Sequence, residues 1–345
     1  MKAILIAEPP RFELTTLPDP TCGPGEVIVR TAFCGICGTD IEILHGSMPA
    51  GFARYPLVPG HEWTGVIEEV GGRVTGHRVG DRVSVEGYLP CGKCVRCLSG
   101  SNNLCVTHEQ IGMTHNGGLA EFVAAPARSC HIVAAHVGLD EALMVEPAST
   151  VLRGIERAHP APGSNAAVIG CGPIGLIAAR VLALHEPGIV LGIDLASMQS
   201  TMANRAGFTR FTTSQDAEEL RELSGAEGWD IVIDCAAGAR PLELAFQIVR
   251  RGGAVVVIGG SPDSHRLNIP ANLFVTRDLH VEGLLGYTTA SWIKTLQLVE
   301  RGLLPLGDLI THRLPLHEFG QALQLLESRN EPIGKVAIVH CGQRS

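Results

Sequence analysis

At 345 residues the chain is too long for one small core, and two domains are expected. A formal net charge of −8 without a long basic run excludes a nucleic-acid partner, and no apolar run reaches the length of a membrane span. With 41 glycines and only 4% aromatic residues, the composition suits an α/β protein with many tight strand-to-helix turns. The opening run, residues 1–9, reads as a short strand and is too short for a signal segment, so the protein is expected in the cytoplasm. Disulfides are not expected there, and the 11 cysteines need another explanation.

The first part of the chain reads as mostly β. Strands are predicted over 26–31, 63–70 and 80–85, each bounded by glycine or Pro-Gly turns, as in an irregular barrel-like domain. Within it stand Cys37-Gly38-Thr39-Asp40 and Gly60-His61-Glu62. A thiolate, an imidazole and a carboxylate hold a catalytic zinc with one position left open. Thr39, two residues after Cys37, would place its hydroxyl near that position. A buried cysteine beside a core histidine is the plainer alternative. Glu146 precedes a helical pattern over 151–158 and has two readings. It is either another ligand to the zinc or its water, or an acid favoured in a helix's first turn.

Cys91, Cys94 and Cys97 fall at every third position, and Cys105 follows eight residues later. Four thiolates in one loop make a closed structural zinc site, with Lys93 and Arg96 offsetting their charge. The alternatives are an iron–sulfur cluster or surplus free thiols, the latter an oxidation liability at this density.

The pattern then changes. A buried strand over 165–170 leads into Gly170-Cys171-Gly172-Pro173-Ile174-Gly175, an apolar helix over 176–182, and a second strand over 189–193 ending in Asp194. This is the dinucleotide fingerprint in its proper setting: glycines let the backbone approach a pyrophosphate at the helix N-terminus. Asp194 lies nineteen residues past Gly175, where a carboxylate binds both ribose hydroxyls and repels a 2′-phosphate. Residues 195–200 supply no Arg or Lys, so NAD is expected rather than NADP. Further strands are predicted over 229–235, 254–260 and 279–286, and their ends are expected to place Cys235, Gly259 and Gly286 at the cofactor. The 279–286 strand is the candidate open edge of this sheet. A helix over 291–301 leads out, and a strand over 334–339 rejoins the first domain. Lys335 there either reaches the pyrophosphate or is a solvated surface lysine.

Together these motifs resemble the zinc-dependent medium-chain dehydrogenases, the superfamily of zinc alcohol, sorbitol, threonine and glucose dehydrogenases, over essentially the whole chain. The resemblance implies an α/β fold: a GroES-like, mostly β catalytic domain over 1–148 and 290–345, and a Rossmann doubly wound domain over 149–289. It implies that Cys37, His61 and Glu146 are zinc-site positions, Glu62 a direct or alternating ligand, Thr39 the proton-relay hydroxyl and Asp40 a carboxylate orienting a ligand. Two zincs per chain, NAD and a homotetramer or homodimer are implied with it. One position departs: many relatives carry a histidine five residues after the zinc cysteine, and here it is Glu42. The acid-rich site favours a secondary alcohol of a polyol, sugar or cyclitol as substrate. The alternatives are an amino alcohol of the threonine type, or an NAD-binding zinc protein without catalysis. A zinc-free quinone or enoyl reductase would lack Cys37, His61 and Glu146.

Overall fold

The structure, a computed structural model, describes residues 1–107, 109–225, 227–260 and 265–340. The chain divides into two compact units. One contains Met1–Glu146, Thr288–Asn330 and the segment from Lys335; the other contains Pro147–Tyr287 and Glu331–Gly334.

The first unit begins with β1 (Lys2–Leu5) and β2 (Glu13–Thr16), an antiparallel pair. Then come β3 (Glu26–Ile36), β4 (Glu62–Val70), β5 (Arg82–Val85), β6 (Phe122–Pro126) and β7 (Cys130–Ile132). β3 runs five residues past the stretch its alternation predicts. The reason is pairing: its late residues hydrogen-bond to β4 with Gly35 opposite Glu62, so the strand continues until Cys37 turns it into a helix. Two register shifts, at Ile28/Val29 and Thr31/Phe33, bend it on the way. Gly65 on β4 is required by close approach, because a Cβ there would strike the Arg30 carbonyl.

The second unit holds β8 (Ala166–Ile169), β9 (Val190–Ile193), β10 (Arg210–Thr212), β11 (Trp229–Asp234), β12 (Val249–Val257) and β13 (His280–Gly283). All pair in parallel, in the order β10-β9-β8-β11-β12-β13. The central strands are apolar throughout, as a parallel sheet covered on both faces requires. Strand order reverses at β8, between β9 and β11, and the crevice at such a point is where doubly wound sheets bind ligands. β12 starts at Val249 rather than 254, since Val249 already pairs with Trp229 ahead of a register shift. Trp229 is fully buried, packs with Val232, Ile248 and Val255, and donates its indole N–H to the Leu220 carbonyl at 2.8 Å. Truncating such a side chain costs about 3–5 kcal/mol. β13 stands at the sheet's edge, where the sequence placed it.

The chain returns through the helix Thr289–Glu300, β14 (Ile310–Pro315), the helix Phe319–Ser328 and β15 (Lys335–Val339). β15 lies between β14 and β3, with Val336 opposite Ile36, and completes the order β14-β15-β3-β4-β5-β7; β6 also pairs with β3. This insertion delivers Lys335 to the end of the strand that leads into Cys37. Among the described residues no helix is long and apolar enough to cross a membrane.

Candidate active site and metal centres

Cys37 is the N-cap of the helix Gly38–His45. Its thiol accepts the Thr39 N–H at 3.3 Å, and its own N–H donates to Asp40 Oδ2 at 2.9 Å, closing a capping box. Asp40 is 1% exposed, and its other oxygen, Oδ1, faces His61 Nδ1 at 3.6 Å. The ring's Nε2 points at Cys37 Sγ, 3.3 Å away. One buried carboxylate thus caps the backbone of one candidate ligand and lies in ion-pair range of the ring of the other. That is the arrangement in which metal-ligating histidines are fixed. Glu62, next in the chain and 2% exposed, brings an oxygen into the same group. One ligand atom each from Cys37, His61 and Glu62 lies within 4.8 Å of the others.

The electrostatics of this group call for a cation. Burial alone would lower the His61 pKa, but the Cys37 thiolate and Asp40 outweigh it and hold the imidazole well above its ordinary value. Burial would raise Asp40, yet His61 holds its carboxyl below the usual range. Glu146, in the first turn of the helix Val145–Arg157, is pushed up to about 8, by burial first and then by the Glu62 carboxylate. The structure therefore brings Glu146 within electrostatic reach of the group, although its oxygens fall outside the 4.8 Å set. Lys335 is 1% exposed and ion-paired with Glu62, so the reading of it as a solvated surface lysine is corrected. Burial would lower its pKa; Glu62 and then Cys37 hold it raised. Gly35 makes room for the pair, since a Cβ there would collide with Glu62 Oε2 and Lys335 Cε. An anionic donor set of thiolate, imidazole and carboxylate fits Zn²⁺ at this place. Glu42 is exposed on the same helix, and His45 pairs with Glu327 at the surface, 3.2 Å away.

Cys91, Cys94, Cys97 and Cys105 also bring their sulfurs within 4.8 Å of one another. The Cys94–Cys97 and Cys91–Cys97 sulfur separations are 3.5 and 3.9 Å, and all four thiols are free of disulfides. Tetrahedral zinc with Zn–S bonds of about 2.3 Å requires sulfurs about 3.8 Å apart, so this loop fits the ion. The Cys91 N–H donates to Cys105 Sγ at 3.2 Å, closing the loop's two ends on each other.

In the second unit, Gly172 is the N-cap of the helix Pro173–Ala183, with Pro173 in its first turn. A Cβ at Gly172 would meet nothing within 4 Å, so the backbone lies open to a phosphate. A Cβ at Gly175 would strike the Gly170 carbonyl, while Gly170 has φ of 90° against Ala236. The three glycines thus serve open approach, close packing and the turn, as a dinucleotide site needs. Ile174 follows Pro173 in the first turn. Asp194 accepts from the Cys171 N–H at 2.7 Å and the Ala196 N–H at 2.9 Å, which fixes its carboxylate beside the glycine loop. Cys235 follows β11 directly, and Gly259 lies two residues past the end of β12. The Asp234 carbonyl accepts the Gly259 N–H at 3.0 Å, and burial pushes the Asp234 carboxyl up to about 6. Burial, with Asp234 and Cys171 nearby, also raises the Cys235 thiol well above its ordinary value. A nicotinamide dinucleotide fits this loop.

Lys335 is the site residue the sequence did not assign. It is 273 positions from Glu62, and only the pairing of β15 with β3 joins them. Its place at the head of the apolar run 336–339 was the available signal of burial.

A GroES-like β unit carrying two zinc-compatible donor sets, joined to a dinucleotide-binding unit, defines a zinc- and nicotinamide-dependent oxidoreductase. Family models agree. Residues 23–135 match the alcohol dehydrogenase GroES-like domain, and residues 173–301 match the zinc-binding dehydrogenase domain. The chain is 31% identical over 340 residues to L-threonine 3-dehydrogenase of Bacillus velezensis, covering 94% of each. It is 30% identical over 327 residues to probable D-xylulose reductase A of Aspergillus fumigatus, covering 91% of this chain and 89% of that one. Among solved structures, a zinc-binding dehydrogenase of Sinorhizobium meliloti 1021 bound to NADP superimposes with a TM-score of 0.90 at 26% identity, covering 98% of both chains. An alcohol dehydrogenase of Escherichia coli CFT073 complexed with NADH does so with a TM-score of 0.90 at 27% identity, covering 98% and 99%. The chain belongs to the zinc-dependent medium-chain dehydrogenase family.

Proposed function

We propose that this protein oxidises a secondary alcohol of a polyol, sugar or cyclitol to the ketone, with NAD⁺ becoming NADH and one proton released. The observation that carries the reading is the cluster of half-buried Cys37 with buried His61 and Glu62, and Glu146 and Lys335 beside it. When bound there, zinc supplies Lewis acidity to the substrate hydroxyl, and the nicotinamide accepts the hydride. Cys37 and His61 hold the site, and Asp40 fixes the ring so that Nε2 faces inward. The Thr39 hydroxyl takes the substrate's proton and passes it toward solvent. Lys335 gives the Glu62 carboxylate a second partner, so Glu62 need not be a permanent ligand. The carboxylates around the site are acceptors for the further hydroxyls of a polyol. The four-cysteine loop holds a second, structural zinc.

The coenzyme reading rests on Asp194. A carboxylate followed by Leu195, Ala196, Ser197, Met198, Gln199 and Ser200 offers a 2′-phosphate repulsion and no cation. Assembly as a homotetramer or homodimer through the edge strand β13 accompanies this reading. A second substrate class, an amino alcohol, has its own support: the same carboxylates suit an ammonium group, and the Bacillus velezensis relative is an L-threonine 3-dehydrogenase. The test is initial rates of reduction of NAD⁺ and NADP⁺ with a panel of polyols, sugars, cyclitols and L-threonine. A polyol-type substrate with at least tenfold higher kcat/KM for NAD⁺ is expected. Turnover of L-threonine alone would move the substrate to the second class, and NADP⁺ preference would remove the role given to Asp194.

A further inference from the structure

A buried polar side chain of the dinucleotide unit bridges two segments remote from it in sequence. Gln199 is 7% exposed and directs its amide to backbone atoms of two remote segments. Its Nε2 donates to the Cys171 carbonyl at 2.8 Å and to the Ile333 carbonyl at 3.0 Å, and its Oε1 accepts the Ile333 N–H at 2.9 Å. Cys171 lies inside the glycine loop, 28 residues earlier; Ile333 lies in the short segment Glu331–Gly334, 134 residues later. A buried glutamine with both ends of its amide engaged is worth most where those partners must keep one orientation, since each would otherwise be a buried polar group lacking a bond.

The two peptide groups flanking the Cys171 Cα are each held by a side chain. The Cys171 N–H donates to Asp194, which closes the ribose side of the loop, and its carbonyl accepts from Gln199. The next N–H groups, those of Gly172 and the first turn beyond it, are the ones a pyrophosphate would use. Rotation of the Cys171–Gly172 peptide would turn them away. On its other side Gln199 clamps Ile333 by both backbone groups, and Gly334 leads directly into Lys335, the partner of Glu62.

We propose that Gln199 is a positioning residue for the dinucleotide: it holds the phosphate loop in its binding orientation and registers dinucleotide binding at 331–334. The proposal rests on dinucleotide binding at Gly170–Gly175. ADP-ribose is the probe, because it carries the pyrophosphate and both riboses without the nicotinamide.

The first measurement uses the unaltered zinc-loaded protein: calorimetric titration with ADP-ribose, followed by hydrogen exchange of the Ile333 amide with and without it. Binding with at least fivefold slower exchange at Ile333 is expected. The second compares Gln199→Leu and Gln199→Glu; the latter keeps the acceptor for Ile333 and loses both donated bonds. Both should bind ADP-ribose about tenfold more weakly, with KM for NAD⁺ raised in step and kcat at saturating NAD⁺ within about threefold of the parent. The ligand-dependent protection of Ile333 should disappear in Gln199→Leu and survive in part in Gln199→Glu. If the parent protein binds no ADP-ribose, dinucleotide binding at this loop fails and the proposal fails with it. If the parent binds but Ile333 exchange is indifferent to the ligand, or the variants bind within twofold of the parent, the role of Gln199 alone is overturned.

Discussion

The two metal-compatible donor sets of the GroES-like unit are built on opposite plans. The cysteine loop is local: four like ligands within fifteen residues, Val95 and Leu98 around them exposed, and no carboxylate or imidazole in the set. The Cys37 group is assembled from afar, at the ends of β3 and β4, in the helix Val145–Arg157 and on β15, with His61, Glu62 and Lys335 buried and Cys37 half-buried. It offers more charged groups than one ion can bind. Four identical thiolates saturate a tetrahedral ion and leave it inert. A mixed set with surplus carboxylates and a buried ammonium can give up one partner for another, as chemistry requires. Stability should therefore depend mainly on the first site and turnover on the second.

The sharpest way to break that contrast is a pair of matched substitutions. Cys37→Ser should lower kcat/KM by at least about a thousandfold, the loss of several kcal/mol of transition-state stabilisation, with little change in melting temperature. Cys94→Ser should release one zinc and lower the melting temperature by roughly 5–10 °C. Elemental analysis beside thermal melting decides it; equal melting losses in the two variants would erase the distinction.

Next in size is Lys335→Met. Glu62 and Lys335 are both almost fully buried, and removing one partner of such a pair costs about 3–5 kcal/mol. Urea denaturation should show that loss, and adding Glu62→Gln should recover part of it in a double-mutant cycle. Between the carboxylates, Glu62→Gln should reduce turnover more than zinc content, whereas Glu146→Ala should reduce zinc content more.

A smaller effect concerns pH. In metal-depleted protein the Glu146 carboxyl titrates near 8, above its ordinary 4.5. Its neutral form therefore suits the folded state: this stability is complete below about pH 4.5 and is lost as pH rises through 8. Metal-depleted protein should weaken between about pH 5 and 8 on denaturant titration, and Glu146→Gln should flatten that slope. The smallest change is expected from Asp194→Ala, which should narrow the NAD⁺/NADP⁺ preference by about tenfold in kcat/KM.

The same contrast explains what could be read from sequence. The cysteine loop and Gly170–Gly175 with Asp194 are legible because their spacing is their geometry. Cys37 and His61-Glu62 are legible as ligand types, since each motif carries its own local turn. Lys335 and Gln199 are not, because their partners are set by strand insertion and by a fold-back 134 residues long. β3 likewise outruns its predicted end because pairing with β4 and β15, rather than alternation, decides where it stops.

One measurement addresses the central claim that one site is open to exchange and the other closed. With cobalt(II) in both sites, imidazole is added as a small exogenous ligand and the visible ligand-field bands are followed. The bands of the Cys37–His61 site should shift and saturate, while those of the four-thiolate site stay unchanged, and Cys37→Ser should abolish the shift. A shift in the tetrathiolate bands, or none in either set, would contradict the account.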